Sequence, residues 1–320
     1  MPPAAAPPSA LRLTARGHVL DQSPDAFGEL RRSDDLVRDP DALRARMAGD
    51  GYLFLPGALD RAEVLDARRV TVERLASAGA LEPNTDPMQT VALKNGGGRY
   101  FMPELADGNE PLHRVLYDGP MMAIFARLLG GPAIRHFDYT WMRAVSPGGG
   151  TAPHCDVVYM GRGTHELYTA WTPLGDIPLS IGGLIVLENS HKQTERLGDY
   201  LRQDVDSYCA NGPNAEKVQS GQMHWEHWDG SGTAWDGAIT HDPVVLREQM
   251  GGRWLTADYQ AGDLLIFSIR TVHASLDNGS DRIRLSSDTR YQRADEPADE
   301  RWIGDAPIAH GRAAKRGRIC

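Results

Sequence analysis

The 320-residue chain carries a formal net charge of −9, a field that repels nucleic acid and anionic membrane surfaces. Its length suits one large domain with a real core, and 34 Gly and 21 Pro point to a turn-rich fold. Cys155, Cys209 and Cys320 make no disulfide framework, the N-terminus has no signal-peptide pattern, and no apolar run reaches membrane-spanning length. The expectation is therefore a cytoplasmic protein that binds neither nucleic acid nor membrane.

Residues 1–38 read as an N-terminal extension, disordered over its Pro- and Ala-rich first ten residues. Residues 39–132 read as a helical part that packs on the core. A helix starts after Asp39-Pro40 and stops near Gly49. A short strand follows over Gly51 to Leu55, closed by Pro56-Gly57. Asp60 starts a stronger helix, with Glu63 placed as in a capping box and Val64, Leu65, Val72 and Leu75 on one stripe. Two further helices are predicted near 109–117 and 119–129, ending at Gly130-Gly131.

Residues 133–292 change texture. Strand-like runs at 134–145, 154–160, 166–172, 183–188, 253–258, 263–272 and 282–292 alternate with Gly and Pro turns, the pattern of a sandwich or barrel. Leu264, Leu265, Ile266, Phe267 and Ile269 are apolar on both faces, so that strand is expected to be covered on both sides, one of them by the N-terminal helices. Residues 193–250 form a long insertion rich in Trp, His, Asp and Gly, read as a lid. Residues 293–320 read as a C-terminal tail, with Lys315-Arg316-Gly317-Arg318 solvated.

His154-Cys155-Asp156 falls at the start of a predicted strand. Alternation puts His154 and Asp156 on one face and turns Cys155 away. His273 ends the most apolar strand. Two imidazoles and one carboxylate on one side of a metal leave three positions open, the facial arrangement used by non-haem iron(II) oxygenases. His-x-Asp alone is a weak signal. Arg284-Leu285-Ser286 on the next strand strengthens it, because Arg284 and Ser286 share a face and a guanidinium with a hydroxyl can grip a carboxylate.

These residues, with Ala170-Trp171-Thr172-Pro173-Leu174, Gly182 to Lys192 and His273-Ala274-Ser275, resemble the phytanoyl-CoA dioxygenase family of Fe(II)/2-oxoglutarate oxygenases over roughly residues 45–292. The resemblance implies a mainly β fold with flanking helices and a double-stranded β-helix (jelly-roll, cupin-like) core. It implies Fe(II) held by His154, Asp156 and His273, with 2-oxoglutarate and dioxygen as co-substrates. Arg284 would bind the distal carboxylate of 2-oxoglutarate, with Ser286, Trp171 and Ser275 as further contacts. His191, in the Ser-His-Lys turn, reads as structural.

The implied reaction is hydroxylation of an unactivated C–H bond of a small-molecule metabolite, with release of succinate and CO2. Asp156 stands where related halogenases carry a small residue, which favours hydroxylation. The alternatives are a non-catalytic jelly-roll small-molecule-binding protein and a cupin-type metalloenzyme that does not use 2-oxoglutarate. The complete triad with Arg284 argues against the first, and Arg284 with Ser286 against the second. The insertion at 193–250 departs from the family. Trp225, Trp228 and Trp235 within it are candidate substrate contacts, and His224 with His227 lacks a third partner for a second metal.

Overall fold

A strand apolar on both faces lies at the centre of the molecule, and the layers on either side follow from it. The computed structural model describes residues 11–94, 96, 98, 100–212, 214–222 and 235–319. Strands β1 (Thr14–Ala15) and β2 (His18–Val19) form a hairpin whose turn holds Arg16 at φ 52°, and β3 (Phe27–Glu29) follows. Helix α1 (Pro40–Asp50) begins where expected: the Asp39 carboxylate accepts from the Asp41 and Ala42 backbone N–H groups, with Pro40 in the first turn. It ends at Gly51 with φ +78°, where a Cβ would lie 2.3 Å from the His191 imidazole, so both the turn and the close approach require glycine.

Strand β4 (Tyr52–Leu55) leads to α2 (Arg61–Ser77), capped by Asp60 on the backbone N–H groups of Ala62 and Glu63, and then to α3 (Glu110–Tyr117) and α4 (Gly119–Leu128). The predicted run 134–145 divides into β5 (Ile134–His136) and β6 (Trp141–Val145). The predicted strand at 154–160 is a correction: His154 makes a single β-bridge to His273, and the chain then turns into the short helix α5 (Val157–Met160). The core strands are β7 (Tyr168–Pro173) and β8 (Leu184–Leu187). The insertion carries α6 (Gly198–Leu201), β9 (Ser207–Cys209), α7 (Ala215–Gln219) and α8 (Pro243–Met250). Strands β10 (Trp254–Thr256), β11 (Leu264–Ser268), β12 (His273–Ser275), β13 (Arg284–Arg293) and β14 (Arg316–Arg318) complete the chain.

Two sheets face each other. The larger runs β4-β11-β7-β13-β5, with β6 also on β13, and the smaller runs β12-β8-β10-β3. Leu264 and Ile266 of β11 pack outward with Leu53, Leu43, Val64, Leu112 and Phe125. Leu265 and Phe267 pack inward with Trp171, Val186 and Leu255. Full burial of each such side chain contributes about 1.5–3 kcal/mol, so the apolar run anchors both layers. The architecture is the jelly-roll core with helices on its outer face.

The two ends of the chain differ from expectation. Part of the N-terminal extension is built into the fold, since β3 adds to the smaller sheet in parallel with β10; residues 1–10 lie outside the described residues. The basic C-terminal end is only partly solvated: Arg316 and Gly317 are exposed, but β14 pairs in parallel with β9 and the Lys315 side chain is covered against Asp206 at 2.8 Å. No helix among the described residues is long and apolar enough to cross a membrane.

Candidate active site

His154 and His273 face each other across their β-bridge, each backbone N–H donating to the other's carbonyl at 3.0 Å. Each ring is oriented by its own backbone. His154 Nδ1 lies 2.8 Å from the Ala152 carbonyl and His273 Nδ1 lies 3.0 Å from that of Thr271. A carbonyl can only accept, so each Nδ1 carries the hydrogen and each Nε2 keeps a free lone pair. Both Nε2 atoms point at Asp156 Oδ1, at 3.7 Å from His154 and 3.6 Å from His273. Among the described residues, this is the one cluster of three or more His, Cys, Asp or Glu side chains whose ligand atoms converge, all within 4.8 Å of one another.

The electrostatics suit a dication. Burial, with His273 alongside, pushes the His154 imidazole down to about 3, and burial lowers His273 as well, so both rings are neutral and ready to ligate at neutral pH. Burial would raise the Asp156 carboxyl, but the Arg290 guanidinium and the Thr169 hydroxyl offset it and hold the group well below the usual carboxylate range. Cys155 turns away, its thiol donating to the Arg270 carbonyl at 3.3 Å and pushed far up by burial.

The strand alternation expected for His154-Cys155-Asp156 is replaced by a bridge and a helical turn, yet the His154 and Asp156 side chains still converge. Strand β13 behaves as the sequence predicts. Leu285 and Tyr291 join the core beneath the helices, while Arg284, Asp288 and Arg290 face the inner cavity. Arg284 is 2% exposed and has no ion pair among the described residues. Its Nη1 donates to the Gly182 carbonyl and its Nε has no partner. Gly182 has φ +81°, and a Cβ there would lie 2.6 Å from the Leu276 carbonyl oxygen. Ser286 Oγ and Trp171 Nε1 are likewise buried without partners, whereas Ser275 Oγ accepts from the Thr151 backbone N–H at 2.8 Å.

An unpaired guanidinium in the interior is costly. Its position beside Trp171, Ser275 and His273 fits a carboxylate-bearing ligand that reaches the metal. The inner cavity has a volume of about 20 Å³, room for one water, so a five-carbon diacid requires the surrounding side chains to give way. Arg143, Thr151, His154 and Arg290 also line a second pocket of about 940 Å³ that opens outward from His154 and Asp156. Its wall is aromatic, with Tyr100, Tyr139, Trp141, Tyr159 and Trp302. Arg143 stands over the Tyr100 and Phe101 rings and pairs with Asp288 at 2.6 Å.

The insertion reaches this pocket through Val218, Gly221 and Asp236, and the C-terminal segment through His310 and Lys315. Trp235 does not line it. That ring packs edge-on to Tyr200 beside a separate cleft, its Nε1 donating to the Ala238 carbonyl at 3.0 Å. Trp225 and Trp228, with His224 and His227, lie outside the described residues. His191 sits on α1, with ring Nε2 3.2 Å from the Ala48 carbonyl, and is not part of the His154, Asp156 and His273 cluster.

Sequence reasoning missed Arg290 and Thr169, which bond the far oxygen of Asp156. A signal existed: Arg290 continues the inward alternation of Arg284 and Ser286, and Thr169 shares the parity of Trp171. The contribution of the C-terminal segment had no local signal.

Comparison with known proteins agrees with this geometry. The model of the phytanoyl-CoA dioxygenase family matches residues 47–286. A Streptomyces exfoliatus protein named 1-deoxypentalenic acid 11-beta-hydroxylase is 28% identical over 271 residues, 81% of this chain and 83% of its own length. SnoK, a non-heme alpha-ketoglutarate-dependent carbocyclase from nogalamycin biosynthesis, superposes with a TM-score of 0.54 at 18% identity, over 87% of this chain and 89% of that one. SnoN, an epimerase from the same biosynthesis, does so with a TM-score of 0.52 at 19% identity, over 81% and 84%. At these identities the two structural likenesses are likenesses of fold.

Proposed function

The chain belongs to the phytanoyl-CoA dioxygenase family and is an iron(II)- and 2-oxoglutarate-dependent oxygenase, and from that premise we propose that it hydroxylates an unactivated C–H bond of a small, largely apolar acid in the aromatic-walled pocket. In this reading His154, Asp156 and His273 hold the iron. The observation that carries it is the convergence of two neutral Nε2 atoms and one carboxylate oxygen at the junction of two cavities. When bound, iron with 2-oxoglutarate and dioxygen supplies the oxidising power that turns C–H into C–OH and releases succinate and CO2.

The chain's own residues supply the rest. Arg284 grips the distal carboxylate of 2-oxoglutarate, with Trp171, Ser275 and Ser286 around it. Its burial and the lack of an acid partner among the described residues support this assignment. Tyr139, Trp141, Tyr159 and Trp302 bound the substrate and exclude water from the reacting carbon. The described part of the 193–250 insertion covers the pocket as a lid, supported by the contribution of Val218, Gly221 and Asp236 to its wall. Residues 133–292 form the catalytic core on which residues 39–132 pack, supported by their shared apolar cluster.

An acidic substrate is supported by the relative's name and by Arg16, whose guanidinium stands at the pocket and bonds the Gly150 carbonyl and His241 rather than a carboxylate. Anaerobic titration of the Fe(II)-loaded protein with 2-oxoglutarate tests the reading. A visible charge-transfer band is expected, perturbed by the right member of a panel of small apolar acids, which then drives succinate release under oxygen. No band with 2-oxoglutarate would refute the co-substrate assignment, and perturbation by neutral or cationic compounds alone would refute the acid.

A further inference from the structure

The two oxygens of Asp156 have different surroundings. Oδ1 faces the two imidazole Nε2 atoms. Oδ2 accepts from the Thr169 hydroxyl at 2.5 Å and from Arg290 Nη2 at 2.9 Å. Thr169 comes from β7 and Arg290 from β13, adjacent strands of the larger sheet on which Thr169 and Arg290 are directly paired. Both are buried, Thr169 at 1% and Arg290 at 2% exposure. The Arg290 guanidinium carbon stands over the Trp141 ring, 4.2 Å from its centroid. The other acid on its face, Asp288, is engaged by Arg143. Among the described residues, Asp156 is the acid that pairs with Arg290.

A carboxylate can bind a metal through one oxygen or both. With two imidazoles, one-oxygen binding leaves three of six positions open, two for a chelating 2-oxoglutarate and one for dioxygen. Two-oxygen binding would close the last of these. We propose that Arg290 and Thr169 are positioning residues that reserve Asp156 Oδ2 for the protein and so keep one coordination position free for dioxygen. The inference rests on the metal-ligand reading above and adds what that reading leaves open, namely how the third position is kept.

The proposal separates from simple structural support by its sign. Loss of a generic prop weakens metal binding. Loss of Arg290 removes a cation beside a dication and frees a second ligand oxygen, so metal binding holds or tightens while the open position is lost. The test uses Fe(II)-loaded full-length protein with 2-oxoglutarate under anaerobic conditions, and nitric oxide as a dioxygen surrogate read by electron paramagnetic resonance. Arg290→Met is expected to bind Fe(II) at least as tightly as the parent and to need about tenfold more nitric oxide or greater, tenfold being the change set by one 1.4 kcal/mol step. Arg290→Lys is expected to recover part of the affinity, Thr169→Ser all of it, and Thr169→Val to lose about two- to fivefold, because Arg290 still bonds Oδ2.

Parental nitric oxide affinity in both Arg290→Met and Thr169→Val overturns the proposal, as does loss of Fe(II) binding in a folded Arg290→Met. If Arg290→Met does not fold, Thr169→Val and Arg290→Lys decide by the same readout, and parental values in both overturn it. Failure of the parent protein to give a 2-oxoglutarate charge-transfer band counts instead against the function proposed above.

Discussion

Asp156 and Asp206 are both buried carboxylates held by cations, and they differ in what is left over. Asp206 is saturated: Lys315 Nζ bonds Oδ1 at 2.8 Å, while Arg301 and His310 bond Oδ2 at 2.7 and 2.8 Å. Asp156 gives one oxygen to Arg290 and Thr169 and turns the other toward two imidazole lone pairs that cannot donate to it. The first arrangement ties the C-terminal segment to the insertion and finishes a wall of the pocket. The second brings two imidazole nitrogens and one carboxylate oxygen together as a converging donor set, which is what a cation needs. Burial and charge alone do not distinguish a structural carboxylate from a ligand; the unfilled lone pair does.

The largest expected effect lies at the metal. His154→Ala, Asp156→Ala and His273→Ala should each abolish Fe(II)-dependent succinate release. Asp156→Ala alone should also destabilise the metal-free protein, by about 3–5 kcal/mol, because it strands the buried Arg290. Thermal unfolding of the three metal-free variants checks this, and equal melting temperatures would deny the pairing its weight.

Asp206→Ala reverses the pattern. It should cost about 1–3 kcal/mol of stability by removing the carboxylate that Arg301, His310 and Lys315 share, Arg301 keeping Asp204 and Asp299, yet leave Fe(II) affinity at the parental level. Metal titration of the folded variant decides, and lost Fe(II) binding would show that the two carboxylates are coupled.

Arg284→Ala should raise the Michaelis constant for 2-oxoglutarate by a factor corresponding to about 2–5 kcal/mol, with little change in that for the acid substrate. Equal shifts in both constants would place Arg284 outside the 2-oxoglutarate site.

A pH dependence follows from Asp206. Burial would raise its carboxyl, but His310 and Lys315 hold it well below the usual range. Its stabilising contribution is therefore full above the unfolded value of about 3.9 and is lost as pH falls below that toward the folded value. The protection of residues 316–318 against amide exchange, relative to the intrinsic rate at each pH, should fall below about pH 4, and flat protection across that window would contradict a role for Asp206 in holding the C-terminal segment. The smallest effect is expected at Trp235. Trp235→Ala should leave the Michaelis constants within about twofold, because the ring lies beside another cleft; a larger rise would put it at the substrate after all.

The elements predicted best are those governed by neighbours in the chain. Asp39-Pro40 and Asp60 start their helices, Gly51 ends one, and Leu264 to Phe267 alternate between two apolar layers. Arg284 and Ser286 share a parity, as the strand period demands. The failures share a different cause. Residues 154–160 read as a strand because Val157, Val158 and Tyr159 favour one, but the chain has a single bridge to make before it turns to bury them. The Lys315-Arg316 end read as solvated because basic residues normally are; its partner, Asp206, is visible only once β14 lies beside β9.

By itself, then, the sequence determined the residue types of the metal site, the strand parity that aims Arg284 inward, and the caps that bound the helices, because each depends on periods of two to four residues. The tertiary structure alone decided which oxygen of Asp156 faces the imidazoles and which is occupied, and that the C-terminal segment lines the pocket. Those outcomes depend on contacts such as Asp156 with Arg290, 134 residues apart, and Asp206 with Lys315, 109 apart, which exist only after sheet register brings distant segments together.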